Sequence, residues 1–182
     1  GVEVICNGEV QECLEDGVII KHNGKSKHIK GNTILWSAGV KGNDSLEKSC
    51  FETKKGRIKV DSYLRCPQYE NIYVVGDCAL FASRDVIHAP TAQLSAQMGD
   101  YVGKSLLKIL RKQEQKKTFR FKHRGTVCSI GHTDGVGVVY KKHINGELAA
   151  FLKNFIENKW LFSIGGAKLV YKNGQFRYRT SN

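Results

Sequence analysis

The first 40 residues alternate short apolar runs with turn-forming pairs. Gly1-Val2-Glu3-Val4-Ile5 reads as the inside of a strand. Residues 10–14 run into Asp16-Gly17, residues 18–20 into Asn23-Gly24, and a further strand covers residues 27–30. Asp-Gly and Asn-Gly supply the positive φ that tight antiparallel turns require. Thr33-Ile34-Leu35-Trp36 is a more apolar run, stopped by Ser37-Ala38-Gly39, and predicts a core strand emptying into a loop of small residues. Residues 41–56 are polar, with a short helix around 45–50, and residues 57–60 predict another strand. Ile72-Tyr73-Val74-Val75 is a second continuous apolar run and ends at Gly76-Asp77. Two such runs, each stopped by glycine, predict strands buried on both faces, as in a parallel sheet.

The period then changes. Residues 91–112 form the best helix, with Pro90 and Thr91 as its start signal. Ala92, Ala96 and Gly99 make a small-residue stripe, and Val102, Leu106, Ile109 and Leu110 continue an apolar side. Residues 113–118 are a polar linker and mark a domain boundary. Beyond it, Phe119-Arg120-Phe121-Lys122 alternates, residues 126–131 and 135–140 predict strands, and residues 148–162 are amphipathic at helical spacing. Asn173-Gly174 predicts a final hairpin between residues 168–172 and 175–179. The organisation expected is residues 1–40, 41–112 and 113–182, an α/β chain with an α+β C-terminal part.

Charge changes the picture more than composition does. The 182 residues carry a net charge of +12. Residues 1–100 hold 12 Lys/Arg against 13 Asp/Glu, and residues 101–182 hold 17 against 4. So basic a segment attracts polyanions, either nucleic acid or an anionic membrane surface. The 41% apolar content is that of a folded domain, and no stretch approaches the ~18 apolar residues of a membrane span. The six cysteines form no C-x-x-C and the six histidines no H-x-x-x-H pair, so free thiols and no metal site are expected. The absence of an initiator Met, with a start inside a strand, suggests a piece of a longer protein.

Candidate chemistry gathers at two places. A strand ending in Gly76-Asp77 puts a carboxylate at the ligand-binding edge of a sheet, where it can accept hydrogen bonds from sugar-like hydroxyls; the same dipeptide also simply makes turns. At a fixed distance, His88-Ala89-Pro90-Thr91-Ala92-Gln93 opens a helix whose N-terminus suits an oxyanion, or a ring that becomes negative on reduction. Gln93 and Gln97, four apart, share a face and either line a polar pocket or are solvated.

Three stretches in this order, Thr33-Ile34-Leu35-Trp36-Ser37-Ala38-Gly39, then Asn71-Ile72-Tyr73-Val74-Val75-Gly76-Asp77, then Ala89-Pro90-Thr91-Ala92-Gln93-Leu94-Ser95-Ala96-Gln97-Met98-Gly99, closely resemble the type II NADH dehydrogenases. The resemblance extends to Gly125-Thr126-Val127 and Ile164-Gly165-Gly166-Ala167. These are non-proton-pumping, FAD-containing NADH:quinone oxidoreductases of the respiratory chain, peripheral on the cytoplasmic face of the cell membrane. They belong to the flavoproteins with two dinucleotide-binding domains, of which this chain resembles the C-terminal half. The resemblance implies that residues 1–40 end the NADH domain, 41–112 return to the FAD domain, and 113–182 dock on an anionic membrane. It implies FAD contacts at Gly76, Asp77, Thr91, Ala92 and Gln93, and a place near the nicotinamide nucleotide for Ala38 and Gly39. Gln93 and Gln97 match the A-Q-x-x-x-Q signature beside the quinone pocket. No residue need act as a general acid or base, because the cofactor performs the redox chemistry.

The chain departs from the family in having no G-x-G-x-x-G turn, of which the family needs two. The resemblance therefore implies a missing N-terminal half. It also implies that this stretch alone is inactive and holds FAD weakly or not at all. The redox cysteine pair of the family's disulfide-reductase relatives is absent too. A homodimer is compatible with the resemblance. Two other classes stay open: a related flavoprotein with a soluble acceptor, and a basic nucleic-acid-binding module. The aromatics of the basic segment fit neither an RNA-recognition sequence nor a zinc finger, which weighs against nucleic acid.

Overall fold

The tight turns read from the sequence organise the first sheet. The computed structural model describes residues 1–83, 86–131 and 133–176. They divide into two units, Gly1–Lys41 and Gly42–Asn182. In the first unit, β1 (Glu9–Leu14), β2 (Gly17–His22) and β3 (Lys25–Lys30) form an antiparallel meander in the order β1-β2-β3. Leu14 faces Gly17 and His22 faces Lys25, so Asp16-Gly17 and Asn23-Gly24 turn the chain as expected. Ile20 is buried on β2.

Two expectations fail in this unit. The stretch of residues 2–5 forms no strand and is largely exposed. Neither is Thr33-Ile34-Leu35-Trp36 a core strand: Leu35 is 88% and Trp36 62% exposed. Apolarity sets a tendency to be buried, but a strand also needs a neighbour to complete its ladder. Among the described residues no strand pairs with residues 31–41.

The second unit is built around α2 (Ala92–Leu110). Thr91 caps it, its Oγ1 accepting the Leu94 N–H at 3.2 Å. The buried face is Leu94, Met98, Val102 and Ser105. The small-residue stripe and Leu106, Ile109 and Leu110 lie elsewhere, and the last three are 43–81% exposed. Against the buried face pack Ile58, Val60, Leu64, Cys66, Val74, Ala79, Phe81 and Phe119. A four-residue helix α1 (Asp44–Glu47), capped by Asn43, precedes them.

The strands that supply this core are short: β4 (Ile58–Lys59), β5 (Arg65–Cys66), β6 (Tyr69–Tyr73), β7 (Ala79–Leu80), β8 (Ala82–Ser83) and β9 (Val86–Ile87). β4 and β7 pair in parallel; β5 with β6, and β8 with β9, pair antiparallel. The run at residues 72–75 is therefore not a strand buried on both faces. Its first half ends β6, where Tyr73 faces Arg65, Val74 alone is buried, and Val75 is 37% exposed. The Val74 N–H donates to the Leu64 carbonyl at 3.0 Å.

The alternation at residues 119–122 forms no strand either. Phe119 is drawn into the core, its ring 5.0 Å from Phe81 and 5.5 Å from Tyr101, and its N–H bonds the Ser62 carbonyl. β10 (Gly125–Ile130), β11 (Asp134–Val139) and β12 (Lys142–Asn145) then form an antiparallel meander, against which α3 (Gly146–Asn173) packs. α3 runs past the predicted residue 162 and kinks at Gly166, where φ is 64°. Residues 168–172 are thus helical and not one arm of a hairpin. Asn158 holds the chain beyond the helix, accepting from the Gln175 N–H at 2.8 Å and donating to its carbonyl at 3.0 Å. The predicted strand at 175–179 extends outside the described residues.

Candidate functional site

The first turn of α2 and the turn after β6 meet. Gly76–Cys78 form a 3-10 turn lying against α2. Ser95 Oγ donates to Asp77 Oδ1 at 3.3 Å, and Arg57 Nε donates to the Asp77 carbonyl at 3.1 Å. Asp77, an exposed residue, is thus held at Ser95, one helical turn from Thr91 and Ala92, whereas the Gln93 side chain bonds Arg124 and Gly125. A helix start carries outward N–H donors and partial positive charge; a carboxylate beside it adds an acceptor for hydroxyls. Gly76, Asp77, Thr91 and Ala92 therefore lie in one neighbourhood, and Gln93 faces another side of the same first turn. Ala38 and Gly39 are exposed residues of the other unit, Gly39 with φ 113°.

His88 enters α2 by a different route. Its ring stacks on Phe81 at 5.5 Å and meets Phe121 edge-on at 5.3 Å, while its Nε2 lies 2.7 Å from Ser83 Oγ. These contacts fix the approach to Pro90 and the helix cap.

A cavity of about 460 Å³ opens along the first turns of α2. Its floor is Ala92, Gln93, Ala96 and Gln97, its side is Arg124, Gly125, Val127, Val139 and Tyr140, and its roof is Leu152, Phe155, Ile156, Lys159, Trp160 and Ser163 of α3. The lining is mostly apolar and aromatic, with Arg124 and Lys159 as cations. Such a cavity takes a flat apolar ring with a few polar edges. Sequence reading found the floor. It missed the roof, because Phe155, Ile156 and Trp160 read as a core or membrane face. The usable signal was Leu152, Ile156 and Trp160 at four-residue spacing, aligned as one stripe.

The two glutamines, both half-buried, bond to backbone. Gln97 Oε1 accepts the Lys122 N–H at 3.0 Å, and its Nε2 donates to the Lys122 carbonyl at 3.0 Å. Gln93 Oε1 accepts the Arg124 N–H at 2.8 Å, and its Nε2 reaches the Gly125 carbonyl at 3.4 Å.

Comparison with known proteins bears on this arrangement. The family model of the pyridine nucleotide-disulphide oxidoreductases matches residues 1–97, more than half of the chain. The chain belongs to that family. Among curated relatives of the chain, the type II NADH:quinone oxidoreductases of Staphylococcus saprophyticus and Staphylococcus aureus are each 38% identical over 178 residues. The alignment covers 97% of this chain and 44% of each relative, so the chain spans less than half of their length. Of solved structures, NDH2 from Plasmodium falciparum in complex with NADH superposes with a TM-score of 0.66 at 15% identity, over 91% of this chain and 49% of that one. An NAD-dependent persulfide reductase from A. fulgidus gives 0.52 at 21%, over 76% and 25%. These show the fold. The resemblance and the α/β class expected from the sequence hold, as does the oxidoreductase family.

Proposed function

We propose that the whole protein passes electrons from NADH through bound FAD to a quinone, and that the cavity between α2 and α3 receives the quinone ring. One observation carries this reading. Ala92 and Gln93 belong both to the helix start beside Asp77 and to the cavity floor, so a flavin edge at the first turn of α2 would abut the cavity. The relatives' names, which specify NADH and quinone, support the choice of substrates.

The residues present fit a flavin dinucleotide. The Asp77 carboxylate is poised to accept from ribityl or ribose hydroxyls, and the start of α2 would favour negative charge on the adjacent ring. FAD, when bound, supplies the two-electron chemistry. The chain binds and orients: Asp77 and Gly76 hold the cofactor, Thr91 shapes the turn, and the cavity wall excludes water from the acceptor. Ala38 and Gly39 are assigned to the NADH side on the resemblance alone. Residues 1–40 are read as the end of the NADH domain, 41–112 as FAD domain and 113–182 as the membrane-docking part.

A peripheral place on the membrane accords with α3, where Leu148, Phe151, Phe162 and Ile164 are 52–63% exposed. Among the described residues no helix is long and apolar enough to cross a membrane. The cytoplasmic face and the anionic surface remain part of this proposal, resting on the basic balance of residues 101–182.

Ala96→Phe in the full-length flavoprotein tests the reading. Filling the floor should lower quinone-dependent NADH oxidation about tenfold or more, while NADH still bleaches the flavin absorbance. Full quinone turnover in this variant would remove the cavity from the acceptor path.

A further inference from the structure

The Gln93–Gln97 spacing matches a polypeptide backbone. Four residues of α-helix rise about 6 Å, and two residues of extended chain about 6.6 Å. A carboxamide carries the same N–H and C=O pair as a peptide group. Two glutamines four apart on a helix can therefore act as one edge of a ladder toward an extended strip, each standing in for one strand residue. Three of the four bonds above have that pattern, and the fourth, from Gln93 Nε2, goes to the next carbonyl, that of Gly125. Gln97 exchanges both bonds with Lys122, as facing residues do in an antiparallel pair. Gln93 takes the Arg124 N–H, two residues on, with the strip running opposite to α2.

The strip is held on its other edge too. The Tyr140 N–H donates to the Arg124 carbonyl, and Gly125 faces Val139 in the β10–β11 ladder. The change of side falls at Gly125, whose φ of 127° turns its own carbonyl toward Gln93. Arg124 and Gly125 form one side of the apolar cavity, and Lys122 and Arg124 line a basic groove behind it with Lys116, Lys117 and Arg120. Without the clamp, this wall would be held by the sheet on one side and by Phe119 and Phe121, which pack on Phe81 and His88, before it.

We propose that Gln93 and Gln97 are positioning residues: their amides clamp the backbone of residues 122–125 to α2, and the clamped strip sets the width of the acceptor cavity. The proposal rests on the reading of that cavity as the quinone site. It adds a part to the one the resemblance implies, which sets these two amides beside the quinone pocket. The clamp uses one N–H and one lone pair of each amide, and both partners are backbone.

The test is Gln97→Leu and Gln97→Glu in the full-length flavoprotein, read by amide hydrogen exchange at Lys122 and by kinetics with a short-chain quinone. Leucine removes both bonds. Glutamate can accept the Lys122 N–H but sets a lone pair against the Lys122 carbonyl. Gln97→Leu should speed exchange at Lys122 about tenfold, and both variants should raise the quinone KM about tenfold, with kcat changed less than about twofold. Unchanged exchange at Lys122 in Gln97→Leu overturns the clamp whatever the kinetics do. Faster exchange with an unchanged quinone KM overturns the positioning role. Should neither variant fold, scalar coupling across the hydrogen bond from Lys122 N to Gln97 Cδ reads the clamp in the unaltered protein, and its absence overturns the proposal. Failure of the cavity reading shows separately, as full quinone turnover in Ala96→Phe.

Discussion

Gly125→Ala separates the geometry of the strip from a general intolerance of glycine replacement. At Gly125 φ is 127°, and a Cβ there would collide with the Val138 carbonyl oxygen and lie 2.8 Å from Val139 Cα. Backbone strain of this kind costs about 1–3 kcal/mol. The collision is with backbone, so relief requires the β10–β11 pair to part at its end. That forfeits ladder bonds worth about 1 kcal/mol each, among them the one from the Tyr140 N–H to the Arg124 carbonyl. The total expected is about 3–4 kcal/mol, a large share of a typical domain's stability. Gly146→Ala is the control. Gly146 has φ 66° but nothing within 4 Å of a Cβ, so it should lose only about 1–2 kcal/mol of strain energy. Urea unfolding of the full-length flavoprotein, followed by circular dichroism, gives both values. Equal losses in the two variants would refute the reasoning, because they would mean the close approach of β11 to Gly125 has no energetic weight.

Other substitutions probe other parts of the account. Phe119→Ala should cost about 3–4 kcal/mol in the same unfolding assay, since Phe119 is 6% exposed and packs between Phe81 and Tyr101. Asp77→Ala should weaken flavin affinity about tenfold or more, because a hydrogen bond to a charged group contributes ~1.5–3 kcal/mol; unchanged flavin content after dialysis would count against the site. Burial is the main cause raising the Tyr101 phenol above its ordinary 10.0. Its protonated form therefore adds stability below that pH, which is lost as pH climbs through the raised value. Tyr101→Phe should accordingly lose less stability than the unaltered protein above about pH 10 in parallel denaturation curves, and identical pH dependence would remove the assignment. Replacing Phe151 and Phe162 by Ser should weaken sedimentation with anionic vesicles several-fold, whereas undiminished binding would place the membrane contact elsewhere.

What the sequence disclosed depended on the range of the interactions involved. Asp16-Gly17, Asn23-Gly24 and Thr91 act within four residues, and the first meander and the cap of α2 followed from them. β10 and β11 were legible for the same reason, as a local antiparallel pair. Thr33-Ile34-Leu35-Trp36 and Ile72-Tyr73-Val74-Val75 misled because apolarity does not say which strand, if any, completes the ladder. Residues 168–172 misled because Asn-Gly marks a helix end as readily as a hairpin, and the contact that holds Gln175 comes from Asn158, 17 residues earlier. The same limit applied to the cavity. Gln93 and Gln97 stood out by spacing, yet their partners lie 25 to 32 residues away in a stretch whose charges drew attention outward. A side chain's hydrogen-bond partner at that range is set by packing, which no local pattern encodes.

The claim that the cavity between α2 and α3 holds the quinone is tested most directly by photolabelling. An azido-quinone of short chain, irradiated with the full-length flavoprotein and mapped by mass spectrometry of peptides, reports the residues that surround the ring. The account predicts label on Ala96, on Val127 and on the Leu152, Phe155, Ile156 and Trp160 stripe of α3, suppressed by excess unlabelled quinone. Competable label confined to residues outside this lining, with the stripe unmarked, would contradict it.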